Sequence, residues 1–291
     1  MERIRLKGRA KINLSLDVIR RKPDGYHEVE MIMQQIDLYD TIVLTERNDK
    51  QIVLRSNCDY IPRDEGNIAF RAAALIRKRF NINKGIEIEI DKQIPVAAGL
   101  AGGSTNAAAV LRGLNQLWQL GLSREEMMAL GVNLGADVPF CVLGGAAHAT
   151  GIGESLTPVQ GLKNLWLVIA KPSISVSTAE VYAQLNLSKL GERPDTKKML
   201  ELIAQNDISN LAKNMRNVLE TVTEVKYPVI REIKGKMMEY NALGCMMTGS
   251  GPTVFGIYKN YERAKSAYEN LALLYKQTYM VQTYCRREED E

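Results

Sequence analysis

A run of small residues, Pro95–Thr105 (PVAAGLAGGST), is the segment best suited to bind an anion. Glycine and alanine let a backbone approach a ligand without side-chain clashes. The helix predicted to follow, Asn106–Leu120, would add free N–H groups and about half a positive charge at its start. Phosphate fits this pattern, although the run matches neither a Walker A loop nor GxGxxG. The alternative is a plain strand-to-helix turn in which Ser104 caps the helix.

A second glycine-containing loop, Thr248–Pro252 (TGSGP), precedes a predicted strand. It fits a phosphate-binding loop, a hairpin or a helix-to-strand turn equally well. Two such loops in different lobes would favour a ligand bound between the lobes, where binding sites are common.

Asp137 and Lys11 are the candidates for proton and charge chemistry. Asp137 lies in an uncharged stretch, Gly135–Pro139, where it could equally be a helix cap. Lys11 could be a solvated lysine at a strand edge. If the two meet, the lysine keeps the carboxylate ionised. The carboxylate could then deprotonate an alcohol that attacks a phosphoryl group, while the lysine balances the developing charge.

Tyr26 and His27 follow a turn at Gly25 and could recognise a nucleotide base. An aromatic ring can stack on a base, and histidine can hydrogen-bond to a base edge. The alternative is an amphipathic pair that packs at the end of a strand. The other histidine, His148, is predicted to be a structural residue with its hydrogen bonds satisfied.

The periodicity indicates how the elements position these residues. Apolar and polar residues alternate strictly over Lys11–Val18, which predicts a half-buried strand with Lys11 and Asn13 on the face away from the core. The pattern also predicts strands over Gln34–Thr45, Ile86–Ile90, Leu165–Ala170, Thr253–Tyr258 and Thr278–Tyr284. It predicts helices over Asn67–Phe80 (capped by Asn67), Asn106–Leu120, Thr178–Leu185, Lys197–Gln205, Val229–Ala242 and Glu262–Tyr275. The βαβ ending, closed by the charged tail Arg286–Glu291, indicates a second α+β lobe that begins near Thr157–Asn164.

Composition excludes several classes of protein. The 291 residues are 45% hydrophobic and 25% charged, which excludes a disordered or collagen-like chain. The net charge of +4 is mild and dispersed, unlike that of a nucleic-acid-binding surface. Four isolated cysteines and two histidines offer no zinc site and suit a reducing compartment. The longest uncharged run, Gln93–Leu111, is broken by proline, glycines and polar residues, and the charged N-terminus is unlike a signal peptide, so a cytoplasmic protein is expected.

The motifs together resemble the GHMP kinase superfamily over essentially the whole chain. The residues that carry the resemblance are KINLSL (11–16) with PDGYH (23–27), Pro95–Ala108, GADVPF (135–140) and TGSGPTVF (248–255). The resemblance implies a two-lobed α+β GHMP kinase fold. Residues 1–160 would form a ribosomal-protein-like N-terminal lobe with the ATP-phosphate loop, and residues 161–291 a ferredoxin-like C-terminal lobe.

The resemblance also implies an activity. ATP would donate its γ-phosphoryl group to the 2-hydroxyl of a diphosphocytidyl methylerythritol, in non-mevalonate isoprenoid precursor biosynthesis, and Mg²⁺ would offset the phosphate charge. Asp137 would be the catalytic base and Lys11 its partner. The substrate would be bound by Asn13, Tyr26, His27, Thr178 and Tyr182. The phosphates of ATP would be bound by Pro95, Val96, Ala97, Ala98, Gly99, Leu100, Ala101, Gly102, Gly103, Ser104 and Thr105.

Three residues depart from the pattern that this resemblance implies. Ala98 and Ala101 stand where glycine is frequent, and Thr105 stands where a second serine is expected. Activity is expected to survive, and either Ser104 or Thr105 would reach the magnesium ion. The partner would be a small molecule, without nucleic acid or membrane. The alternatives are a kinase for homoserine, mevalonate or a sugar, a catalytically silent ligand sensor, and an RNA-binding module.

Overall fold

Two long strands, β1 (Arg3–Arg21) and β2 (His27–Arg47), pair with each other in the computed structural model, which describes residues 2–285. The chain divides into two compact units, each discontinuous in sequence. Unit 1 comprises Met1–Ala10, Leu38–Val96 and Ala101–Gly144, and unit 2 comprises Lys11–Asp37, Ala97–Leu100 and Gly145–Glu291. The continuous lobes 1–160 and 161–291 stay a prediction, and the charged tail lies outside the described residues.

Unit 1 combines sheet strands with four helices. Residues Thr41–Arg47 of β2 pair antiparallel with β4 (Gly85–Asp91), and β3 (Ile52–Ser56) pairs parallel with β4. The helices are α1 (Ile68–Arg79), α2 (Gly102–Leu117), α3 (Arg124–Val132) and α4 (Val138–Leu143). The predicted cap of α1 is confirmed, because Asn67 Oδ1 accepts a hydrogen bond from Ala69 N at 2.9 Å.

Unit 2 contains an antiparallel sheet of its own and the remaining helices. Strands β5 (Ala146–Thr150) and β6 (Ser155–Pro158) pair antiparallel, and β5 also pairs with Met31–Gln34, the part of β2 that belongs to unit 2. The separate sheet has the order β10-β7-β9-β8, formed by β7 (Trp166–Lys171), β8 (Gly244–Met247), β9 (Val254–Tyr258) and β10 (Gln277–Gln282). The helices are α5 (Thr178–Gln184), α6 (Thr196–Ala204), α7 (Ile208–Asn214), α8 (Glu220–Lys226), α9 (Val229–Glu239) and α10 (Tyr261–Ala272).

The predicted elements are present, with two corrections. Helix α2 begins at Gly102 rather than at Asn106. The strand over Lys11–Val18 is not half-buried, because every residue of this segment is buried, including the polar ones. Helices α3, α4, α7 and α8 and strands β3, β5, β6 and β8 were not predicted from the sequence. Among the described helices, none is both long and apolar enough to cross a membrane.

Candidate active site

The lysine of the first motif is held inside unit 2. Lys11 is 4% exposed, and its Nζ donates to Asn13 Oδ1 at 2.7 Å. Asn13 is completely buried, and its Oδ1 also accepts from Gly249 N at 3.1 Å and from Thr248 Oγ1 at 3.3 Å. Asn13 Nδ2 donates to Met31 Sδ at 3.2 Å. The alternative of a solvated lysine is therefore wrong, and so is the prediction that Lys11 and Asn13 face away from the core.

The two glycine-containing loops meet in unit 2. The second loop is a hairpin, since Met247 of β8 pairs with Val254 of β9. Its Thr248 Oγ1 donates to Gly99 O at 3.4 Å, and Leu100 O accepts from Lys11 N at 3.2 Å. Gly99 has a φ of +72°, and a Cβ placed there would lie 2.3 Å from Thr248 O. Only glycine therefore fits at residue 99, and Lys11 lies at the junction of the two loops.

The start of the first loop is fixed in unit 1 by a carboxylate that sequence reasoning missed. Asp40 is completely buried, and its Oδ1 accepts from Gln93 N and Ile94 N at 2.8 Å each. Asp40 Oδ2 accepts a hydrogen bond from Lys92 Nζ, and the Lys92 side chain is only 6% exposed. Lys92 Nζ also lies 3.1 Å from the position that a Cβ of Gly102 would take. This ion pair therefore contacts both the segment before the loop and the first residue of α2.

The end of the first loop presents helix donors and one accessible hydroxyl. Ala101 is the N-cap of α2 in the left-handed conformation, with a φ of +58° and no side-chain cap. The alternative in which Ser104 caps the helix is therefore wrong, since Ser104 lies inside the first turn. Thr105 is 1% exposed, and its Oγ1 donates to Arg9 O at 2.7 Å. The N–H groups of this first turn have no intrahelical acceptor, so they can bind phosphate oxygens.

Asp137 is at the N-cap of α4, but its side chain makes no cap hydrogen bond. The carboxylate is half-buried, and the helix-cap alternative does not account for it. Gly135, two residues earlier, brings this turn close to the first loop within unit 1. A Cβ built at Gly135 would lie 4.0 Å from Ser104 Oγ. Lys11 belongs to unit 2 and Asp137 to unit 1, so their pairing stays a prediction.

The residues predicted to bind a base lie in unit 2. The rings of His27 and Tyr182 are in contact, with centroids 5.1 Å apart and planes inclined by 42°. Burial, and secondly the charge of Arg21, lower the pKa of His27, which favours the neutral form of its ring. Tyr26 is 61% exposed, which leaves its face accessible. Thr178 Oγ1 and Ser250 Oγ of the hairpin loop lie 2.8 Å apart.

Two family models match the chain: GHMP kinases N terminal domain over residues 67–145 and GHMP kinases C terminal over residues 199–277. The chain belongs to the GHMP kinase family and is a small-molecule kinase, which confirms the predicted fold class. Use of ATP follows from membership of this family.

Within the family, the chain is 65% identical over 291 residues to the 4-diphosphocytidyl-2-C-methyl-D-erythritol kinase of Alkaliphilus metalliredigens (strain QYMF), covering all of both chains. It is 31% identical to a crystal structure of a 4-(cytidine 5'-diphospho)-2C-methyl-D-erythritol kinase, with a TM-score of 0.83 and coverage of 96% of this chain and 99% of that chain. A homoserine kinase from Cytophaga hutchinsonii, at 20% identity, shares the fold with a TM-score of 0.78, over 98% of this chain and 95% of that chain.

Proposed function

We propose that this kinase transfers the γ-phosphoryl group of ATP to the 2-hydroxyl of 4-diphosphocytidyl-2-C-methyl-D-erythritol, a step in non-mevalonate isoprenoid precursor biosynthesis. The substrate is the one named for a relative that is 65% identical over its whole length. The structural observation that carries the proposal is the nearly buried Lys11, held by Asn13 where the two glycine-containing loops meet. An ammonium ion fixed in this way needs no reorganisation to stabilise charge in a phosphoryl transfer.

The phosphates of ATP would lie against Pro95–Thr105. The free N–H groups at the start of α2 and the positive end of its dipole favour a polyanion there. Ala97 and Gly103 are exposed and carry little or no side chain, which leaves the backbone accessible at these two positions. The loop therefore supplies donors fixed in place by the buried Asp40 at its start.

Mg²⁺ would be held chiefly by the phosphates, because it keeps several waters and takes one or two protein oxygens in such sites. Ser104 and Thr105 both carry suitable hydroxyl oxygens. The Ser104 side chain is half-buried in the first turn of α2, whereas the Thr105 hydroxyl is buried and donates to Arg9 O. These observations favour Ser104 as the protein ligand. When bound, the ion neutralises charge on the phosphate oxygens.

Asp137 would act as the general base. It would accept the proton of the 2-hydroxyl while that oxygen bonds to the γ-phosphorus and the bond to the ADP oxygen breaks. Lys11 would stabilise the charge that develops on the transferred group. Asn13 is fully buried and its Oδ1 accepts from Lys11 Nζ, which favours a role in orienting that lysine. Its predicted contact with the methylerythritol end remains a prediction.

The cytosine ring would be recognised beside the His27–Tyr182 ring pair. The exposed face of Tyr26 and the ring of Tyr182 would stack on the base, and neutral His27 can both donate and accept at a base edge. Thr178 would lie one helical turn before Tyr182 on α5, so it would face the same part of the substrate. Homoserine, mevalonate and sugars have no base for these rings.

ADP release with Mg-ATP tests the proposal, with the cytidylyl compound compared against homoserine, mevalonate and galactose. Release with the cytidylyl compound alone is the expected result. In Asp137→Asn, turnover should fall by about 100-fold or more, as for loss of a general base, with ATP binding retained. Asp195→Asn, at the exposed N-cap of α6, is the matched control and should turn over normally. Normal turnover in Asp137→Asn, or release with a different alcohol, would contradict the proposal.

A further inference from the structure

A buried asparagine that is not among the predicted site residues bonds to the backbone of the hairpin loop. Asn217 is 4% exposed, and its Nδ2 donates to Met247 O and to Gly249 O, both at 2.8 Å. Its Oδ1 accepts from Leu219 N at 3.0 Å. Both amide protons and the amide oxygen are therefore committed to the backbone. A buried amide used so completely fixes the groups that it contacts.

Asn217 is itself fixed against β1, the strand that carries Lys11. Leu16 N donates to Arg216 O at 2.9 Å, and Val218 N donates to Leu16 O at 3.0 Å. The backbone on both sides of Asn217 is thus bonded to β1 only a few residues beyond Asn13. Through Asn217, the hairpin loop is therefore attached to β1, the same strand that carries Lys11.

Two further side chains that follow Asn217 also contact this loop. Glu220 Oε1 accepts from Met247 N at 2.8 Å, and Thr223 Oγ1 donates to Ser250 O at 3.3 Å. Side chains of residues 217–223 therefore bond to the backbone of Met247, Gly249 and Ser250. Of these three side chains, Asn217 bonds to both residues that flank Thr248, so it restrains the part of the loop that contacts Asn13.

The loop passes this restraint on to the candidate active site. Gly249 is held from two sides, since its carbonyl accepts from Asn217 and its N–H donates to Asn13 Oδ1. The same Asn13 oxygen accepts from Lys11 Nζ. A displaced loop would remove two of the donors that fix Asn13 and would leave the ammonium group of Lys11 less constrained.

We propose that Asn217 is a positioning residue for phosphoryl transfer, acting through the loop and Asn13 on Lys11. The inference rests on the proposed function, in which Lys11 stabilises the charge that develops on the transferred group. Asn217 does not touch the substrate in this scheme. Its loss should act on the placement of Lys11, and misplacement of a reacting group by about 1 Å costs about 100-fold in rate.

Asn217→Asp tests this, because it keeps the size and the acceptor for Leu219 N but turns a carboxylate oxygen toward two carbonyl oxygens. We expect kcat for the cytidylyl substrate to fall about 100-fold. Asn214→Asp is the matched control, since Asn214 Nδ2 also donates to a carbonyl, Asn210 O at 2.7 Å, but at the surface. The control should retain wild-type kcat.

A double-mutant cycle separates positioning from a general effect on folding. Single-turnover rates are measured for Asn217→Asp, for Lys11→Ala and for the double variant. If Asn217 acts through Lys11, its substitution adds little loss once Lys11 is absent. Losses that multiply in full would overturn the inference. Asn217→Ser, which removes the amide without adding charge, replaces Asn217→Asp in the cycle if that variant does not fold.

Hydrogen exchange of the peptide that contains Thr248–Gly251 gives a readout that needs no substrate. Exchange there should be faster in Asn217→Asp and unchanged in Asn214→Asp. Unchanged exchange and unchanged kcat in Asn217→Asp would overturn the positioning role while leaving the proposed function intact. A wild-type chain inactive on the cytidylyl substrate would instead overturn the proposed function, and with it the catalytic part of this inference.

Discussion

Because the two glycine-containing loops are in close contact at Gly99, we expect a methyl group added there to lower both stability and catalytic efficiency. Gly99 combines a φ of +72° with a Cβ position only 2.3 Å from Thr248 O, a backbone atom. Gly121 has nearly the same φ, +67°, but nothing lies within 4 Å of its Cβ position. Gly99→Ala and Gly121→Ala therefore share the conformational penalty and differ in the clash.

The two contributions can be estimated separately. The left-handed conformation costs an alanine about 1–2 kcal/mol, partly offset by about 0.4–1 kcal/mol from the more restricted unfolded chain. Gly121→Ala should therefore lose about 1 kcal/mol of stability. In Gly99→Ala, the loop backbones must also separate, because real Cβ atoms do not approach within 3.0 Å. Such overpacking adds about 1–3 kcal/mol.

The same separation should affect catalysis, because Thr248 bonds to Gly99 O and to Asn13. A shift approaching 1 Å beside Lys11 should lower kcat/KM about 100-fold in Gly99→Ala. Gly121→Ala should keep wild-type kcat/KM. The measurements are urea unfolding and ADP release for both variants. Equal stability and equal kcat/KM in the two variants would refute the argument from the Thr248 contact.

Three further predictions follow from the structure. Asp40→Asn should lose about 3–5 kcal/mol in urea unfolding, because it leaves the charge of Lys92 buried without its partner. Asp49→Asn breaks an exposed pair and should lose much less stability than Asp40→Asn, and equal losses would contradict the argument. Because the pKa of His27 is lowered in the folded chain, the unfolded chain binds the proton more readily, and stability should decline as pH falls below 6.5. Unfolding midpoints are measured from pH 7.5 to pH 5 for wild type and His27→Gln. The variant should lose less stability than wild type over this range, because it lacks the contribution of His27. Ala101→Gly should raise stability by up to about 1 kcal/mol, because glycine accepts the φ of +58° without strain, and a lower unfolding midpoint would contradict this.

Local patterns predicted most of the helices and strands in the described chain. The helix over Asn67–Phe80 and its asparagine cap could be predicted because capping and apolar spacing depend on residues close together in sequence. The start of α2 was not readable in the same way. Glycine has a low helix propensity, yet α2 begins with Gly102 and Gly103, directly after Ala101 in the left-handed conformation. Backbone geometry set by the rest of unit 1 overrides propensity there.

The burial of β1 shows why the site was only partly predictable. The alternation over Lys11–Val18 correctly predicts a strand, but the polar face is covered as well. Its coverage comes from residues distant in sequence. Asn13 bonds to Thr248 and Gly249, and Asp17 pairs with Arg193 at 2.9 Å. A period of two reports which residues share a face, and says nothing about partners more than a hundred positions away.

The loop geometry also explains which departures from glycine the chain can accommodate. Ala98 is 3% exposed and does not adopt a positive φ, so a methyl group there serves packing. Ala101 carries conformational strain, which is a cost in stability. Gly99 alone among these three combines a positive φ with the close approach of the hairpin backbone. Of these three positions, residue 99 has the strictest need for glycine, because the loop contacts the residues that hold Lys11 there. We therefore expect alanine at 98 and 101 to permit turnover.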